Sequence, residues 1–171
     1  MVIGTERNDD AGYDSGSVRV FQYDDSLELW VQKGDDIDGI DVGELFGYNV
    51  SINYSGDTIV ASAPKYDNER GRFKVYNFTE GSWNLRGTEI IGLVEDEGAL
   101  GTVGSINNEG NIVAFGIPYA KNINTVVTGS ARIYKYDSSD NSWEQMGVDI
   151  NGPSDQYTNY GGTISLNSTG K

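Results

Sequence analysis

Short runs of alternating apolar and polar residues follow one another along this chain, bounded by Gly, Asn, Asp, Ser or Pro. Four runs in the middle of the chain are residues 47–53 (GYNVSIN), 58–64 (TIVASAP), 72–78 (RFKVYNF) and 82–87 (SWNLRG). Alternation bounded by turn-forming residues is typical of half-buried β-strands. No window carries apolar residues at helical spacing over three turns. The pattern therefore predicts an all-β protein.

The four-run pattern repeats along the chain. Trp30, Trp83 and Trp143 lie 53 and 60 residues apart, and each is followed four residues later by Gly. Residues 55–64 align without a gap on residues 109–118. Phe46-Gly47, Leu100-Gly101 and Tyr160-Gly161 recur in the same register. A repeat of this length indicates stacked supersecondary units. We predict one repeat domain, residues 1–171, with units at 1–45 (strands 2–4 only), 46–99, 100–159 and 160–171 (strand 1 only).

The third strand of each unit is apolar on both faces. One face carries Val18, Val20, Phe73, Val75, Ala131 and Ile133. The other face is largely aromatic, with Phe21, Tyr23, Tyr76, Phe78, Tyr134 and Tyr136. A strand that is wet on one side would not show this pattern. Four-stranded sheets stacked face to face around an axis would, and that is a β-propeller. We predict a partial β-propeller of about three four-stranded antiparallel blades, with the tryptophans anchoring each blade to its neighbour.

Two short motifs recur at fixed places in this register. Phe46-Gly47 is followed by Ser-Ala-Pro at 62–64, and Leu100-Gly101 by Gly-Ile-Pro at 116–118. Tyr160-Gly161 begins a third copy. The chain thus resembles the FG-GAP repeats of integrin α-subunit propellers over essentially all 171 residues. The resemblance implies a propeller fold, a binding or adhesion role, and calcium loops that precede the GAP strand.

Calcium ligands are sparse at the positions that the resemblance indicates. Residues 51–59 and 105–113 carry single acids, Asp57 and Glu109, which we interpret as turn residues. A second candidate loop has Glu6, Asn8, Asp10 and Asp14 at alternate positions. Its glycine, Gly12, lies one place late, and residues 65–71 and 119–129 do not repeat the pattern. A solvated turn is the favoured interpretation, with calcium as the alternative. We predict no metal, cofactor or catalytic residue.

Composition narrows the chemistry further. The chain has 26 acidic and 12 basic residues, a formal charge of -14, no His and no Cys. The charge repels nucleic acid and anionic membranes, and the missing residue types exclude disulfides, thiolates and the commonest general base. No apolar run approaches the roughly 18 residues of a membrane span. The N-terminal residues do not form a signal peptide, so a secretion signal would lie outside this chain.

Several recurrent residues have plain structural explanations. Arg19, Lys74 and Arg132 occupy one repeat position and are expected to pair within the blade. The tryptophans could stack sugars, but their recurrence favours packing. The acids Asp24-Asp25, Asp35-Asp36 with Asp38, and Glu95-Asp96-Glu97 are interpreted as solvated loop charges. The sequons at Asn49, Asn53, Asn77 and Asn167 would permit glycosylation, although chance also explains them.

The function predicted from these features is a non-catalytic binding or adhesion segment of a larger extracellular or cell-surface protein. Rim loops would contact a protein or glycan partner. The alternatives are a structural repeat spacer and a portion of a propeller enzyme that acts on polysaccharide. Three units cannot close a ring, since propellers close with about four to eight blades. The chain is therefore expected to be a fragment, or to pair with itself, so that further blades are partners.

Overall fold

The structure is a computed structural model that describes residues 1–93, 100–121, 126–154 and 157–171. It contains three antiparallel sheets in sequence order. Blade 1 comprises β1 (Val2–Thr5), β2 (Ser17–Asp24), β3 (Leu29–Gln32) and β4 (Ile37–Asp38). Blade 2 comprises β5 (Val50–Ile52), β6 (Thr58–Ala63), β7 (Arg72–Thr79), β8 (Ser82–Leu85) and β9 (Ile90–Ile91), with one helical turn, α1 (Tyr66–Glu69), before β7. Blade 3 comprises β10 (Val103–Ile106), β11 (Ile112–Ile117), β12 (Ser130–Asp137), β13 (Ser142–Gln145) and β14 (Ile150–Asn151).

This architecture confirms the all-β, partial β-propeller prediction. Each of the four alternating runs between residues 47 and 87 contains one strand, in the order β5, β6, β7 and β8. The blades differ from the prediction in one respect, because each has an additional two-residue strand: β4, β9 or β14. These strands pair with the beginning of the third strand of their blade. Two residues are too short to show alternation; the sequence marks these strands only by a recurrent acid-Ile-X-Gly pattern at residues 36–39, 89–92 and 149–152. The exact boundaries of the repeat units stay a prediction.

The hydrophobic core lies between the sheets. Every residue of β6 and of β11 is buried, so both faces of these strands are covered. Between blades 2 and 3 the rings of Phe73 and Phe115 stack with centroids 3.7 Å apart. Between blades 1 and 2, Val18 and Val20 pack with Phe46. The blades therefore shield one another face to face, as the two-sided apolar pattern predicts.

Trp83 and Trp143 join consecutive blades, as predicted, whereas Trp30 contacts Tyr23 within its own blade. Trp83 donates a hydrogen bond from Nε1 to the carbonyl oxygen of Lys33 in blade 1, at 2.7 Å. Trp143 makes the same bond to Arg86 in blade 2, at 2.8 Å. Each indole also packs on the glycine that follows its acceptor. A Cβ at Gly34 would lie 3.0 Å from Trp83 Cδ1, and one at Gly87 2.9 Å from Trp143 Cδ1. Glycine leaves room for the indole at these positions.

Cations reinforce the same blade contacts. Lys33 Nζ donates to the carbonyl oxygen of Gly56 at 2.6 Å and lies 4.7 Å from the ring centre of Phe78. The guanidinium of Arg86 lies 4.2 Å from the ring centre of Tyr136. A cation over an aromatic face is attracted by the quadrupole of the ring. The residues that follow β3 in blade 1 and β8 in blade 2 are thereby tied to the next blade.

The motif that carries the family resemblance also joins elements within the propeller. Phe46 is fully buried, and Gly47, with φ 86°, donates its amide to the carbonyl oxygen of Ser62 at 2.8 Å. A Cβ on Gly47 would lie 2.4 Å from the carbonyl oxygen of Ser17. The positive φ and the close backbone approach both require glycine. Packing alone therefore explains the aromatic-glycine pair.

In the described residues no helix is long and apolar enough to cross a membrane.

Candidate functional site

A cluster of charged side chains lies where the connection between β4 and β5 meets blade 2. Arg72 is the first residue of β7. Its Nη2 lies 2.5 Å from Glu44 Oε2 and 2.9 Å from Asp41 Oδ2, and its Nη1 lies 3.2 Å from Glu89 Oε2. Lys74, two residues further along β7, places Nζ 3.3 Å from Glu89 Oε1. We call Arg72, Lys74, Asp41, Glu44 and Glu89 the Arg72 cluster.

The cluster has a buried end and an open end. The side chains of Arg72 and Glu44 are 3% and 1% exposed, whereas that of Asp41 is 51% exposed. Burial disfavours the charge on Arg72, but the carboxylates of Glu44 and Glu89 outweigh it and hold its pKa above the ordinary value. The Nε of Arg72 is buried and has no hydrogen-bond partner among the described residues. The guanidinium is thus a fixed charge with one unused donor.

The loop that brings the carboxylates to Arg72 is shaped by Glu44 itself. Glu44 Oε1 accepts hydrogen bonds from the backbone amides of Ile40, at 2.7 Å, and Asp41, at 3.2 Å. Its other oxygen binds Arg72. Because one buried carboxylate satisfies the backbone of residues 40–41 and the guanidinium together, it fixes where Asp41 lies. Glu44 is therefore the residue that positions the exposed acid.

Aromatic side chains wall the cluster. The ring centre of Tyr66 lies 3.9 Å from the guanidinium carbon of Arg72. The ring centre of Phe46 lies 5.6 Å from Lys74 Nζ. Burial raises the pKa of Tyr76, and Glu89 raises it further, so its hydroxyl stays neutral at ordinary pH. These rings keep the cations in a weakly polar environment, where charge interactions are stronger than in water.

The backbone beside the cluster is strained. Asp67, Asn68 and Glu69 have φ of 47°, 55° and 69°, so α1 contains consecutive non-glycine residues in the left-handed region. Ion pairs brace the turn: Arg70 Nη1 lies 2.7 Å from Asp67 Oδ2, and Lys65 pairs with Glu69. Such conformations cost about 1–3 kcal/mol per residue and cluster at functional sites. The turn also carries Tyr66, which stacks on Arg72.

The repeats show that the sheet does not require this cluster. The positions equivalent to Arg72 are Ser17 and Ser130, each the first residue of its strand. The positions equivalent to Glu44 are Gly98 and Thr158. A packing residue recurs in every blade, whereas a single site does not. Sequence reasoning missed Arg72 and Glu44 because it looked for recurrence. The departure from recurrence is the signal that would have found them.

The recurrent cations are structural, as predicted. Arg19 Nη2 pairs with Asp36 Oδ2 at 2.6 Å, and Arg132 Nη2 with Asp149 Oδ2 at 2.8 Å. Lys74 pairs with Glu89 at the equivalent position. All three pairs stay within one blade. Lys74 alone adds a second role, since it also belongs to the Arg72 cluster.

The candidate calcium loop is closed by its own hydrogen bonds. Asn8 Oδ1 accepts from the amide of Asp10 at 2.7 Å, and Asp9 Oδ1 accepts from the amide of Asp14 at 2.7 Å. Across the described residues, the acids Glu6, Asp10 and Asp14 do not form a three-carboxylate cluster. The acids that do gather, with ligand atoms within 4.8 Å of one another, are Asp137, Asp140 and Glu144, on the β12–β13 hairpin. Asp137 also accepts hydrogen bonds from Ser139.

The turn assignments at the family's calcium positions are confirmed. Asn53 Oδ1 accepts from the amides of Asp57 and Thr58, at 3.1 and 3.0 Å. Asn107 makes the equivalent bonds to Asn111 and Ile112. Asp57 serves this turn through its bonds to Asn53 and Thr58.

The remaining acids and the sequon residues have local roles. Asp24 accepts hydrogen bonds from the amides of Ser26 and Leu27, and Asp36 forms an ion pair with Arg19. These two acids therefore have structural partners and are not merely the solvated loop charges that the sequence indicates. Glu95, Asp96 and Glu97 lie outside the described residues. The sequon side chains Asn49, Asn53, Asn77 and Asn167 all form hydrogen bonds. Their glycosylation stays a prediction, as do calcium binding and the extracellular location.

Comparisons with known proteins support the fold. The chain is similar to the crystal structure of a Bacteroides uniformis protein provisionally named 6-phosphogluconolactonase, with a TM-score of 0.51, 16% identity and coverage of 84% of this chain and 36% of that one. Similarity to a Lactobacillus plantarum protein has a TM-score of 0.48 at 16% identity, covering 93% of this chain and 42% of that one. For the Pseudomonas aeruginosa periplasmic gluconolactonase PpgL the TM-score is 0.46 at 13% identity, covering 86% and 38%. This chain therefore spans roughly two-fifths of each structure. No family model and no curated protein matches the sequence.

These comparisons correct three predictions. The similar propeller from Bacteroides uniformis is named as a lactonase and not as an integrin α-subunit, so the identification with FG-GAP repeats is wrong. The binding or adhesion function depended on that resemblance and is wrong with it. The prediction that the protein is not an enzyme is contradicted by the same finding, which fits the alternative of a propeller enzyme better. The physical reason is that the aromatic-glycine motif is a packing feature of the blades and does not identify one propeller family.

Proposed function

We propose that this chain supplies blades of a propeller hydrolase that opens sugar lactones, with the Arg72 cluster as its polar centre. The observation that carries the proposal is the buried Arg72 ion pair, which ends in an exposed carboxylate and stands where the other repeats have serine. The similar propeller is named as a lactonase, and we therefore choose sugar lactones as the substrate class to test. The activity of the whole protein is part of the same proposal.

Hydrolysis of a lactone needs an activated water and a counter-charge for the carbonyl oxygen. Water forms the new bond to the carbonyl carbon, the ring carbon–oxygen bond breaks, and a proton reaches the ring oxygen, which leaves a hydroxy acid. Asp41 is the exposed carboxylate and accepts the proton from the attacking water. Arg72 is buried and does not contact the substrate; it holds the Asp41 carboxylate in position, and its positive charge offsets the negative charge that develops beside the cluster. Glu44 positions both groups and does not touch the substrate.

The charges around the site favour an uncharged substrate. Arg72 and Lys74 supply two positive charges, and Asp41, Glu44 and Glu89 supply three negative charges, which leaves one negative charge in the cluster. The chain as a whole carries -14. A phosphorylated sugar lactone would approach against this field. We therefore expect a neutral aldonolactone to be hydrolysed faster than its phosphate ester.

The test measures acid release from glucono-δ-lactone in a pH-stat, after subtraction of the spontaneous rate. Arg72→Gln is expected to lower the rate about 100-fold, because Asp41 loses the partner that holds it and a misplaced catalytic group costs about that much. Arg132→Gln is the matched control, because it also removes a buried arginine that pairs with an acid. Circular dichroism confirms that both variants are folded.

Asp41→Asn provides a second test that does not disturb the buried pair, since Asp41 is half exposed. It is expected to lower the rate about 100-fold, the size of a general-base contribution, with little change in stability. The proposal is wrong if the wild-type chain gives no hydrolysis above background. It is also wrong if Arg72→Gln and Arg132→Gln lose activity equally.

A further inference from the structure

The two ends of the described array carry complementary halves of one blade. In blade 1, β1 pairs with β2 on one side, and no strand among the described residues pairs with its other edge. At the other end, residues 163–166 alternate between exposed and half-buried and pair with no described strand. Leu166 donates its amide to Ser105 Oγ at 3.0 Å, which holds this segment against blade 3. One end thus offers a strand edge and the other an unpaired strand.

The segment after residue 160 has the features of a first strand and its turn. Tyr160 forms a parallel bridge to Gly129, as Phe46 does to Gly16. Asn167 Oδ1 accepts from the amides of Gly170 and Lys171, at 2.8 and 3.1 Å. Asn53 and Asn107 form the same turn after β5 and β10. Residues 163–166 therefore match β5 and β10, the strands that pair with the second strand of their blades.

We propose that two copies of this chain associate head to tail, with residues 163–166 of one copy pairing antiparallel with β1 of the other. The register follows from the complete blades, where Val50 pairs with Ala61 and Gly104 with Phe115. The equivalent positions put Ile164 of one copy opposite Ile3 of the other. This inference concerns assembly and is independent of the proposed lactone chemistry.

A tryptophan contact supports the same pairing. Trp143 is buried and Trp83 is half-buried against the preceding blade, whereas Trp30 is 52% exposed. Trp30 nevertheless stands edge-on to Tyr23 at 5.4 Å between ring centres, as Trp83 stands beside Phe78 at 5.1 Å. The aromatic pair that would pack against a preceding blade is therefore already formed on blade 1.

The matching surface lies at the other end of the array. Gly147 is equivalent to Gly34 and Gly87, has the same positive φ, at 80°, and would present a Cβ to open space. Met146 stands where Lys33 and Arg86 meet the aromatic rings of the next blade, and a thioether also packs favourably on aromatic edges. Docked in this way, Trp30 Nε1 donates to the carbonyl oxygen of Met146, as Trp83 donates to Lys33.

The open face of blade 3 has room for the second copy. A groove of about 740 Å³ lies between blade 3 and the segment after Tyr160 and is lined by Ile133, Ile150, Ile164 and Leu166. The contact uses different surfaces on the two partners, so the assembly must close into a ring or extend without limit. Two copies of residues 1–171 supply six blades, within the closure range of about four to eight, and three copies would exceed it. One second copy is therefore the occupant that we propose for this face.

Light scattering on the whole chain across a dilution series tests the assembly. The wild type is expected at twice the mass of one chain. Gly147→Asn is expected to give single chains, because Asn tolerates a positive φ but fills the space that Trp30 needs. Gly81→Asn is the matched control, since Gly81 also has a positive φ and open space and is Asn141 in the next repeat. A monomeric wild type, or a mass that Gly147→Asn leaves unchanged, overturns the proposal.

Cysteine pairing tests the register, because the chain contains no cysteine of its own. Ile3→Cys with Ile164→Cys is expected to give a dimer on a non-reducing gel that dithiothreitol reverses. Ile3→Cys with Tyr157→Cys, which places the second thiol outside the proposed strand, is expected to give at least tenfold less. Equal yields from the two pairs contradict the register even if light scattering shows a dimer.

Discussion

At the residue scale, one ion pair recurs in all three blades and holds the shortest strand in place. Asp36, Glu89 and Asp149 each stand immediately before a two-residue strand, β4, β9 or β14. Each acid binds the cation in the middle of the third strand. The hydrogen bonds of a two-residue strand are few, and in each blade the ion pair adds a side-chain link between this strand and the middle of the third strand. The recurrence is therefore a fold requirement and separates these cations from Arg72.

The third of these pairs predicts a pH dependence of stability. Burial disfavours ionisation of Asp149, but the hydrogen bond and the charge of Arg132 outweigh it and lower the pKa of Asp149. A carboxylate with a lowered pKa in the folded state stabilises the fold above its unfolded pKa of about 3.9, and this stabilisation is lost as the pH falls. We expect Asp149→Asn to cost about 1–2 kcal/mol at pH 7 and progressively less below about pH 4.

Urea unfolding of the wild type and Asp149→Asn between pH 7 and pH 2.5 measures this difference. Asp25→Asn is the control for the loss of one negative charge, because Asp25 is exposed. The ion-pair explanation fails if the cost of Asp149→Asn is the same at pH 3 as at pH 7.

At the scale of elements, the glycine that precedes the third strand of one blade packs against the backbone just before the first strand of the next blade. Gly16, Gly71 and Gly129 have φ of 80°, 73° and 72°. A Cβ on Gly71 would lie 1.6 Å from the carbonyl oxygen of Leu100. That oxygen belongs to the backbone and cannot move without shifting blade 3. The glycine is thus needed for its conformation and for the close approach of two backbones.

Gly71→Ala is expected to destabilise the chain by about 2 kcal/mol more than Gly81→Ala, because the second change adds only a positive-φ penalty. Gly81 has φ 84° and open space where its Cβ would lie, so it isolates the conformational term. Urea midpoints of the two variants at one protein concentration provide the measurement. Equal losses would show that the blade contact does not depend on this approach.

The elements also show what could be predicted from the sequence. Alternation over four to eight residues revealed the long strands, and the tryptophan spacing revealed the contact between blades. The Arg72 cluster was not predictable in the same way, because two of its acids, Glu44 and Asp41, lie 28 and 31 residues before Arg72 in a loop without periodicity. The left-handed turn at Asp67–Glu69 also carried no signal, since these residue types suit many turns. Local rules describe the scaffold, while the site depends on contacts between distant segments.

At the scale of the whole molecule, a formal charge of -14 is spread over a structure that needs its blades to stay together. Like charges on the surface repel one another and destabilise a compact state. The buried pairs of Arg72 and Arg132 are nearly shielded from the solvent, so salt screens them little. Added salt should therefore weaken the repulsion more than it weakens these attractions.

We expect the free energy of unfolding to rise as NaCl increases from 10 mM to 500 mM, where the Debye length shortens from about 30 Å to well under 10 Å. A variant that removes three exposed charges, Asp25→Asn, Glu80→Gln and Asp140→Asn, should start more stable at 10 mM and gain less from salt, because it has less repulsion to screen. Thermal unfolding of both chains over the salt series, at one protein concentration, measures the two slopes. Parallel slopes, or a wild type that loses stability as salt is added, would mean that surface repulsion does not limit how firmly these blades hold together.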